Sequence, residues 1–405
     1  MEKAQKKTKN KPNEYTTLLL HLMDGSQLPE SERQRVRQVY DLVMSLGFDE
    51  AKITIDGNEY CAAEYALTMY SLASIEFAPK FVPQMNVDER LGSLMIITML
   101  VAMAESMQSS WSYGAELLYH RAAKGIPVPR EEVLAFMAQE GTFSSCKEKT
   151  QRLNGNWMAV AVYCAKQYAL YHELPKVASA VFADAPENEQ PARFSPDETK
   201  GMTQREQVEY LMRTYAPACL GEDEVTKHQI EYFLSFLAES DFYDAPASTK
   251  YHASHPQGLV WHELNVTEGL IELLQPKTAK QIGQCVLAGI GHDLCKVSFY
   301  SSYLKNEKVY NPNGSQHDAM GNFDWQSKVC YFANPVFPLG HGGKSLHILA
   351  SYFGPKLPIQ VAAAIDAHMM DNPQIGRQVA QYPLGLWLAI ADVVATCIDE
   401  AEPIL

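Results

Sequence analysis

The chain has no paired-cysteine motif, no long apolar run and no excess of basic charge, and each absence closes off a class of protein. Its eight cysteines (Cys61, Cys146, Cys164, Cys219, Cys285, Cys295, Cys330, Cys397) are scattered, and none belongs to a C-x-x-C pair. Several lie in apolar stretches, as Cys164 does. That is the pattern of buried thiols in a reducing compartment, not of a disulfide framework or a thiolate zinc site. The most apolar run, Leu94 to Ala104, falls short of the roughly 20 residues that span a bilayer. Residues 1–12 are lysine-rich with no apolar segment behind them, so they read as a disordered basic tail and not a secretory signal. A cytoplasmic protein without membrane contact is expected. Lysine and arginine number 34 against 48 acidic residues, a formal charge of −14. Such a balance disfavours a general nucleic-acid binder, which needs a basic face, although a local basic patch stays open.

What is present is an ordinary globular composition, 46% hydrophobic and 20% charged, in 405 residues, enough for two domains. Residues 13–183 read as amphipathic helices. Arg33 to Leu46 carries the stripe Val36, Val39, Tyr40, Val43, Leu46, with Gly47 as a stop. Ile53 to Tyr60, broken at Asp56-Gly57, reads as a small hairpin. Leu91 to Met107 and Asn156 to Tyr171 are long and apolar and should form the centre of this first domain. It shows no nucleotide fingerprint, metal spacing or catalytic pair. Residues 184–202 are rich in proline and charge and read as a linker. Helical patterning resumes at Thr203 and runs, with interruptions, to residue 405. The fold expected is mainly α: a helical N-terminal domain and a C-terminal helical bundle over 203–405 with a small β-hairpin insertion.

Eight of the twelve histidines follow Lys250. In Gly258 to Leu274 the apolar stripe Leu259, Val266, Leu270, Leu273 includes His262. In Ala279 to Leu294 the stripe Ile282, Val286, Gly289 or Ile290 leads to Asp293, with His292 beside it. In Pro358 to Met369, Val361 and Ile365 lead to His368. In Leu384 to Ile398 the stripe is Leu384, Leu388, Asp392, Ala395. Four helices thus aim an imidazole or a carboxylate into an apolar interior. A buried, unpaired carboxylate costs several kcal/mol, and no lysine or arginine lies on those inward faces. A divalent cation is the simplest partner, with manganese, iron, zinc, cobalt or nickel suiting mixed imidazole and carboxylate ligands, and magnesium also open. A lone buried histidine is more often a satisfied core residue than a ligand, and chance supplies single His-Asp pairs. A second such pair, His317-Asp318, lies among turn formers in Asn311 to Asn322 and reads as a solvated loop. Chance does not readily supply His, then His-Asp, then Asp, each on the inward side of its own helix.

The order His262, His292-Asp293, Asp392 resembles the HD superfamily of metal-dependent phosphohydrolases. The resemblance covers roughly Ala245 to Leu405. Pro246-Ala247-Ser248-Thr249-Lys250-Tyr251-His252, then Gly258-Leu259 and His262, is similar to the leading segment of bacterial HD proteins, the HD-type exoribonucleases among them. Gly291-His292-Asp293-Leu294-Cys295-Lys296 is similar to the HD-x-x-K form of the family. The resemblance implies a first metal on His262, His292, Asp293 and Asp392, with Asp293 bridging to a second where one is present. His341 and His368 lie where binuclear members add histidines, but the tandem His-His of some of them is absent, since Met369 follows His368. The activity implied is hydrolysis of a phosphomonoester or phosphodiester, a nucleotide above all, by metal-activated water, with Asp293 positioning or deprotonating that water. An HD-type 3'-5' exonuclease, a non-catalytic regulatory module and a di-iron oxygenase are the alternatives.

Gly340-His341-Gly342-Gly343-Lys344-Ser345 opens a helix running through Leu349 and Tyr352. Its glycines and Lys344 suit an anion at a helix N-terminus, or simply a glycine-rich helix start. A P-loop would need glycine where Pro338 stands, and no parallel-sheet pattern surrounds it, so an NTPase is rejected. Lys296, one turn after His292, is either a phosphate ligand or an exposed lysine at a helix end. His252 joins Lys296, Lys344, Gly342 and Gly343 as a candidate substrate contact. Val309-Tyr310 and Lys328 to Phe332 are expected to pair as a hairpin around Asn313-Gly314, lying over the site and selecting substrate.

Overall fold

The structure is a computed structural model that describes residues 13–26, 28–55, 57–81, 87–107, 112–139, 155–176, 181–182, 192–250, 252–334, 339–369, 378 and 381–401. The expected basic tail over 1–12, residues 184–191 of the expected linker, Tyr251 and Pro338 lie outside the described residues. The protein is mainly helical, with one two-stranded and one three-stranded sheet. It divides into two compact units, Met1–Val177 and Ala178–Leu405.

In the first unit, α1 (Glu14–Gly25), α2 (Glu30–Ser45), α3 (Ala62–Ser71), α4 (Leu91–Ser106), α5 (Ser112–Ala123), α6 (Arg130–Met137) and α7 (Trp157–Tyr168) follow one another. The stripe of α2 is buried at Val36, Val39, Tyr40 and Val43, and the chain turns at Gly47 with φ 94°. Every residue of α4 from Gly92 to Met103 is buried, as is α7 from Met158 to Lys166, so the two most apolar helices lie at the centre. β1 (Lys52–Ile55) and β2 (Asn58–Cys61) form the small hairpin, pairing Lys52 with Cys61.

The second unit contains α8 (Gln204–Leu220), α9 (Glu224–Glu239), α10 (Gly258–Leu274), α11 (Ala279–Gly291), α12 (His341–Phe353), α13 (Ile359–Ala367) and α14 (Leu384–Val394). Side chains cap the helices that lead into the site: Thr203 with Glu206 in a capping box on α8, Asp223 on α9 and Thr278 on α11. α11 is buried along its length from Ile282 to Gly291, flanked by α8, α10 and α13, while α14 packs on α10 and α13. Gly289 makes the α10–α11 approach possible, because a Cβ there would lie 2.1 Å from Thr267 Oγ1. The described end of the expected linker is structured. Phe194 is buried, Ala192 N–H donates to the Lys277 carbonyl, and Glu198 accepts from the hydroxyls of Tyr210 and Tyr215. An aromatic anchor and paired carboxylate hold it to this unit despite its proline and charge.

The insertion is an antiparallel ribbon of β3 (Tyr300–Tyr310), β4 (Gln316–Asp318) and β5 (Gly321–Ala333), in the order β3-β5-β4. Its register differs from the expected one. Val309 and Tyr310 lie opposite Asp324 and Phe323, while Lys328 to Phe332 lie opposite Ser301 to Lys305. The expected hairpin was therefore too short. His317-Asp318 is a strand and not a loop, paired with Asn322 and Gly321, with Asp318 accepting from Lys308 and Tyr310. From Ser302 to Tyr310, β3 is exposed on both faces, so among the described residues this stretch covers no site. No helix of the described residues is long and apolar enough to cross a membrane.

Candidate metal centre

α11 ends at Gly291, three residues before the expected end at Leu294, and this early exit shapes the centre. Successive residues on an α-helix point about 100° apart. His292 keeps helical dihedrals, but Asp293 departs to φ −109°, ψ 17°, the sparsely used bridge region, before a 3-10 turn over Leu294–Lys296. The break lets neighbouring side chains address one point. His368 likewise sits one residue beyond the end of α13.

Asp293 is the hub. Its Oδ2 lies 3.6 Å from His262 Nε2 and 3.7 Å from His292 Nε2, and it contacts the Lys296 ammonium. Its Oδ1 contacts His341 Nε2 and lies 4.0 Å from His368 Nε2. Asp392 Oδ1 stands 3.2 Å from His262 Nε2. All six expected metal ligands thus meet, in two groups sharing Asp293. For metal–ligand bonds of about 2.1 Å, adjacent donors lie roughly 3–3.5 Å apart, close to the 3.2–3.7 Å found around the first group.

The imidazoles are already aimed. His292 Nδ1–H donates to the Gly289 carbonyl at 2.7 Å, and His368 Nδ1–H to the Ile365 carbonyl at 2.7 Å. A carbonyl only accepts, so each ring, when neutral, carries its proton on Nδ1 and turns a lone pair at Nε2 inward. His262 does the same against the Glu400 carboxylate at 3.0 Å. Nε2 of all three rings is buried without a hydrogen-bond partner. Three orphaned lone pairs facing carboxylates are a poor core and a good cation site. Buried His, Asp and Glu groups here can hold a metal ion, and among the described residues such groups occur only in this unit.

The local field favours positive charge. Burial opposes protonation of His262, but Glu400 and Asp392 outweigh it and raise the ring well above its ordinary value. Burial likewise opposes ionisation of Asp293, yet Lys296, His341 and His292 hold it well below the usual carboxylate range. Asp293 in turn raises His341 to about 10 against burial. His368, lacking so close a carboxylate, is lowered by burial and by His292 and His341 to about 3. The side chains of Asp392 and His341 are 24% and 30% exposed, whereas Asp293 and the other imidazoles of the centre are enclosed. The centre therefore reaches solvent at Asp392 and at His341.

Two carboxylates were not anticipated. Glu263 is fully buried with Oε2 2.7 Å from His292 Nδ1, and burial raises its pKa despite that neighbour. It shares the α10 stripe with Leu259, Val266 and Leu270, so the helical period marks it as inward. Glu400 is buried at 4% exposure although Asp399 beside it is exposed. A π turn over Ala395–Asp399 shifts the inward face by one residue, which no 3.6-residue count anticipates.

Lys296 is a correction. It is 8% exposed and paired with Asp293, so a cation does reach the inward faces, and the exposed helix-end alternative fails. The 3-10 turn, not an extension of α11, carries it there. Lys344 donates to the Cys295 carbonyl and lies over the Phe299 ring, tying α12 to the turn after the HD pair. Gly342 serves packing, since a Cβ there would lie 2.6 Å from the Ile365 and Asp366 carbonyls, while Gly343 is less confined. The His252 ring lies tilted at 48° with its centroid 4.8 Å from that of His262, neither of its nitrogens is partnered, and burial followed by His262 lowers it to about 3. Hydrogen bonds from Ser248 Oγ to the His252 carbonyl and from Ala247 N–H to the Ala253 carbonyl hold its loop. With His262 and Glu400 it forms a further ligand-type group.

A polar cavity of about 470 Å³ lies in the first unit, lined in part by Glu32, Arg35, Arg90, Glu131 and Glu132. Its charges pair with one another, Arg35 with Glu32 and Glu132 and Arg90 with Glu131, and it shows no ligand set. The chain matches no family model, no curated protein and no solved structure.

Proposed function

We propose that the second unit is a metal-dependent phosphohydrolase of the HD kind, acting on a small phosphate ester with a nucleotide as the substrate class. The supporting observation is the set of three buried, unpartnered Nε2 atoms facing Asp293 and Asp392. His262, His292, Asp293 and Asp392 would hold one divalent ion; Asp293, His341 and His368 would hold a second. With the imidazoles neutral as ligands, four carboxylates (Glu263, Asp293, Asp392, Glu400) against the single ammonium of Lys296 leave three negative charges when all are ionised, which accommodates one or two divalent ions. Manganese, iron, zinc, cobalt, nickel and magnesium all remain eligible.

A bound divalent cation supplies Lewis acidity and a water of lowered pKa. Asp293 would position that water, its carboxylate kept ionised by Lys296 and His341. Glu400 and the Gly289 and Ile365 carbonyls hold three imidazoles in the ligating tautomer. Lys296, already beside Asp293, neutralises a phosphate oxygen and the charge developing on it. The phosphate would approach from Asp392 or His341, the two partly exposed members of the centre. Thiols at Cys61, Cys219, Cys285, Cys295 and Cys330 that form no disulfide suit a reducing, cytoplasmic setting.

The test is metal analysis of the purified protein, with phosphate release from a panel of nucleotides and a single-stranded oligonucleotide, beside Asp293→Ala. Metal-dependent release that falls about 100-fold or more in the variant is expected. Equal activity in both proteins ends the reading. Preference for the oligonucleotide favours an exonuclease, and bound metal without turnover a regulatory module.

A further inference from the structure

The β3–β5 ribbon carries an interaction surface that the metal centre does not use. β3 is an edge strand of eleven residues, and among the described residues no strand lies against its outer side. Natural proteins blunt such edges with proline, bulges, short strands or charged side chains, and of these β3 has only the charges Lys305, Glu307 and Lys308. β3 has no proline, and its pairing with β5 runs one to one from Tyr300 to Tyr310 without a bulge. It also exposes apolar side chains on both faces, Tyr303 at 47% and Leu304 at 72%.

The free edge has a definite polarity. Asn311 N–H donates to the Asn322 carbonyl at 3.0 Å, and Asn334 N–H to the Phe299 carbonyl at 2.8 Å, extending the ladder at both ends. With an unbroken register between them, odd-numbered residues of β3 face β5. Even-numbered residues turn their N–H and C=O groups outward.

We propose that β3 is a dimerisation edge that pairs antiparallel with β3 of a second copy about a two-fold axis at Asn306. The charges choose the register. An axis at Lys305, Glu307 or Lys308 would set that residue against its own like charge. At Leu304, Lys305 and Glu307 would both face neutral residues. At Asn306, Lys305 meets Glu307 of the second copy, and by symmetry the pair occurs twice. Both pairs fall at the non-hydrogen-bonded positions, where cross-strand side chains approach most closely. Tyr303 then lies opposite Val309 of the second copy, so apolar side chains flank the charges. The outward N–H and C=O of Ser302, Leu304, Asn306, Lys308 and Tyr310 complete the ladder.

Sedimentation of the full-length chain over a concentration series tests this. The wild type is expected to dimerise. Lys305→Glu and Glu307→Lys each place like charges opposite one another twice, and each should weaken the dimer about tenfold or more. The double reversal Lys305→Glu/Glu307→Lys restores opposite charges and should restore the dimer. Asn306→Pro removes an outward N–H and leaves the β5 ladder intact, so it should give a monomer with an unchanged circular dichroism spectrum. A wild type that stays monomeric, a dimer indifferent to both single reversals, or a double reversal no better than the singles overturns the proposal.

Discussion

Glu400 offers the sharpest test of the centre, because its contribution separates from that of the metal ligands. Its carboxylate accepts from His262 Nδ1 at 3.0 Å and Asn265 Nδ2 at 2.9 Å while being almost fully buried. Glu400→Gln keeps the volume and an amide oxygen able to accept both bonds, so the change is chiefly loss of charge. Hydrogen bonds to charged groups are worth about 1.5–3 kcal/mol against about 0.5–1.5 for neutral ones. The difference, about 1–1.5 kcal/mol, corresponds to roughly 5- to 15-fold in affinity. Losing a carboxylate that orients a ligating histidine typically costs 10–100-fold in affinity or activity, which overlaps this range. Manganese titration of the metal-stripped protein by calorimetry should therefore give a dissociation constant about tenfold weaker in the variant.

The pH dependence distinguishes orientation from mere packing. Burial lowers the His262 pKa, but Glu400 is the largest influence raising it, ahead of Asp392, and the net shift is upward. A proton on His262 competes with the metal, so wild-type affinity falls as pH drops through that raised value. Without the Glu400 charge the proton is held less tightly, and the variant begins to lose affinity only at lower pH. The gap between the two proteins should be widest at high pH and narrow as pH falls. An unchanged dissociation constant, or a gap constant with pH, would refute the argument.

Two further predictions probe charge around the site and fold. Lys296→Met leaves Asp293 with only imidazole partners among the positive groups contacting it, and breaking that buried pair should cost on the order of 3 kcal/mol in the metal-free protein. Denaturant unfolding should show the loss, saturating metal should recover much of it, and turnover should stay low if Lys296 binds phosphate; identical unfolding midpoints would contradict the burial of the pair. Asp223 is lowered from 3.8 to about 2, first by the Thr226 N–H and then by Lys356. A depressed folded pKa means its stabilisation is present above the ordinary value and disappears as pH falls towards 2. Asp223→Asn keeps the N-cap and loses the charge, so its melting temperature should lie below that of the wild type at neutral pH and converge with it in acid. A difference that survives at pH 2 would point to another cause.

What the sequence reveals here depends on whether a residue sits where regular periodicity holds. His262 lies mid-helix on an apolar stripe, and Asp392 lies on the stripe of α14, so counting by 3.6 places both inward. Glu263 satisfies the same count, but a carboxylate beside a histidine reads as ordinary polarity until the partner of His292 is sought. Glu400 and Lys296 are invisible to the count, because a π turn and a 3-10 turn shift the faces on which they lie. The ribbon fails for a different reason. Register is legible when one face is buried and alternation marks it, but β3 is exposed on both faces, with Tyr303 and Leu304 adjacent. Its side chains therefore carry no record of a core: Tyr303 meets Phe332, and Lys308 and Tyr310 meet Phe323 and Asp318, all within the ribbon. If the pairing about Asn306 is correct, their pattern records a second copy instead, with Lys305 and Glu307 two residues apart because the strand meets itself reversed.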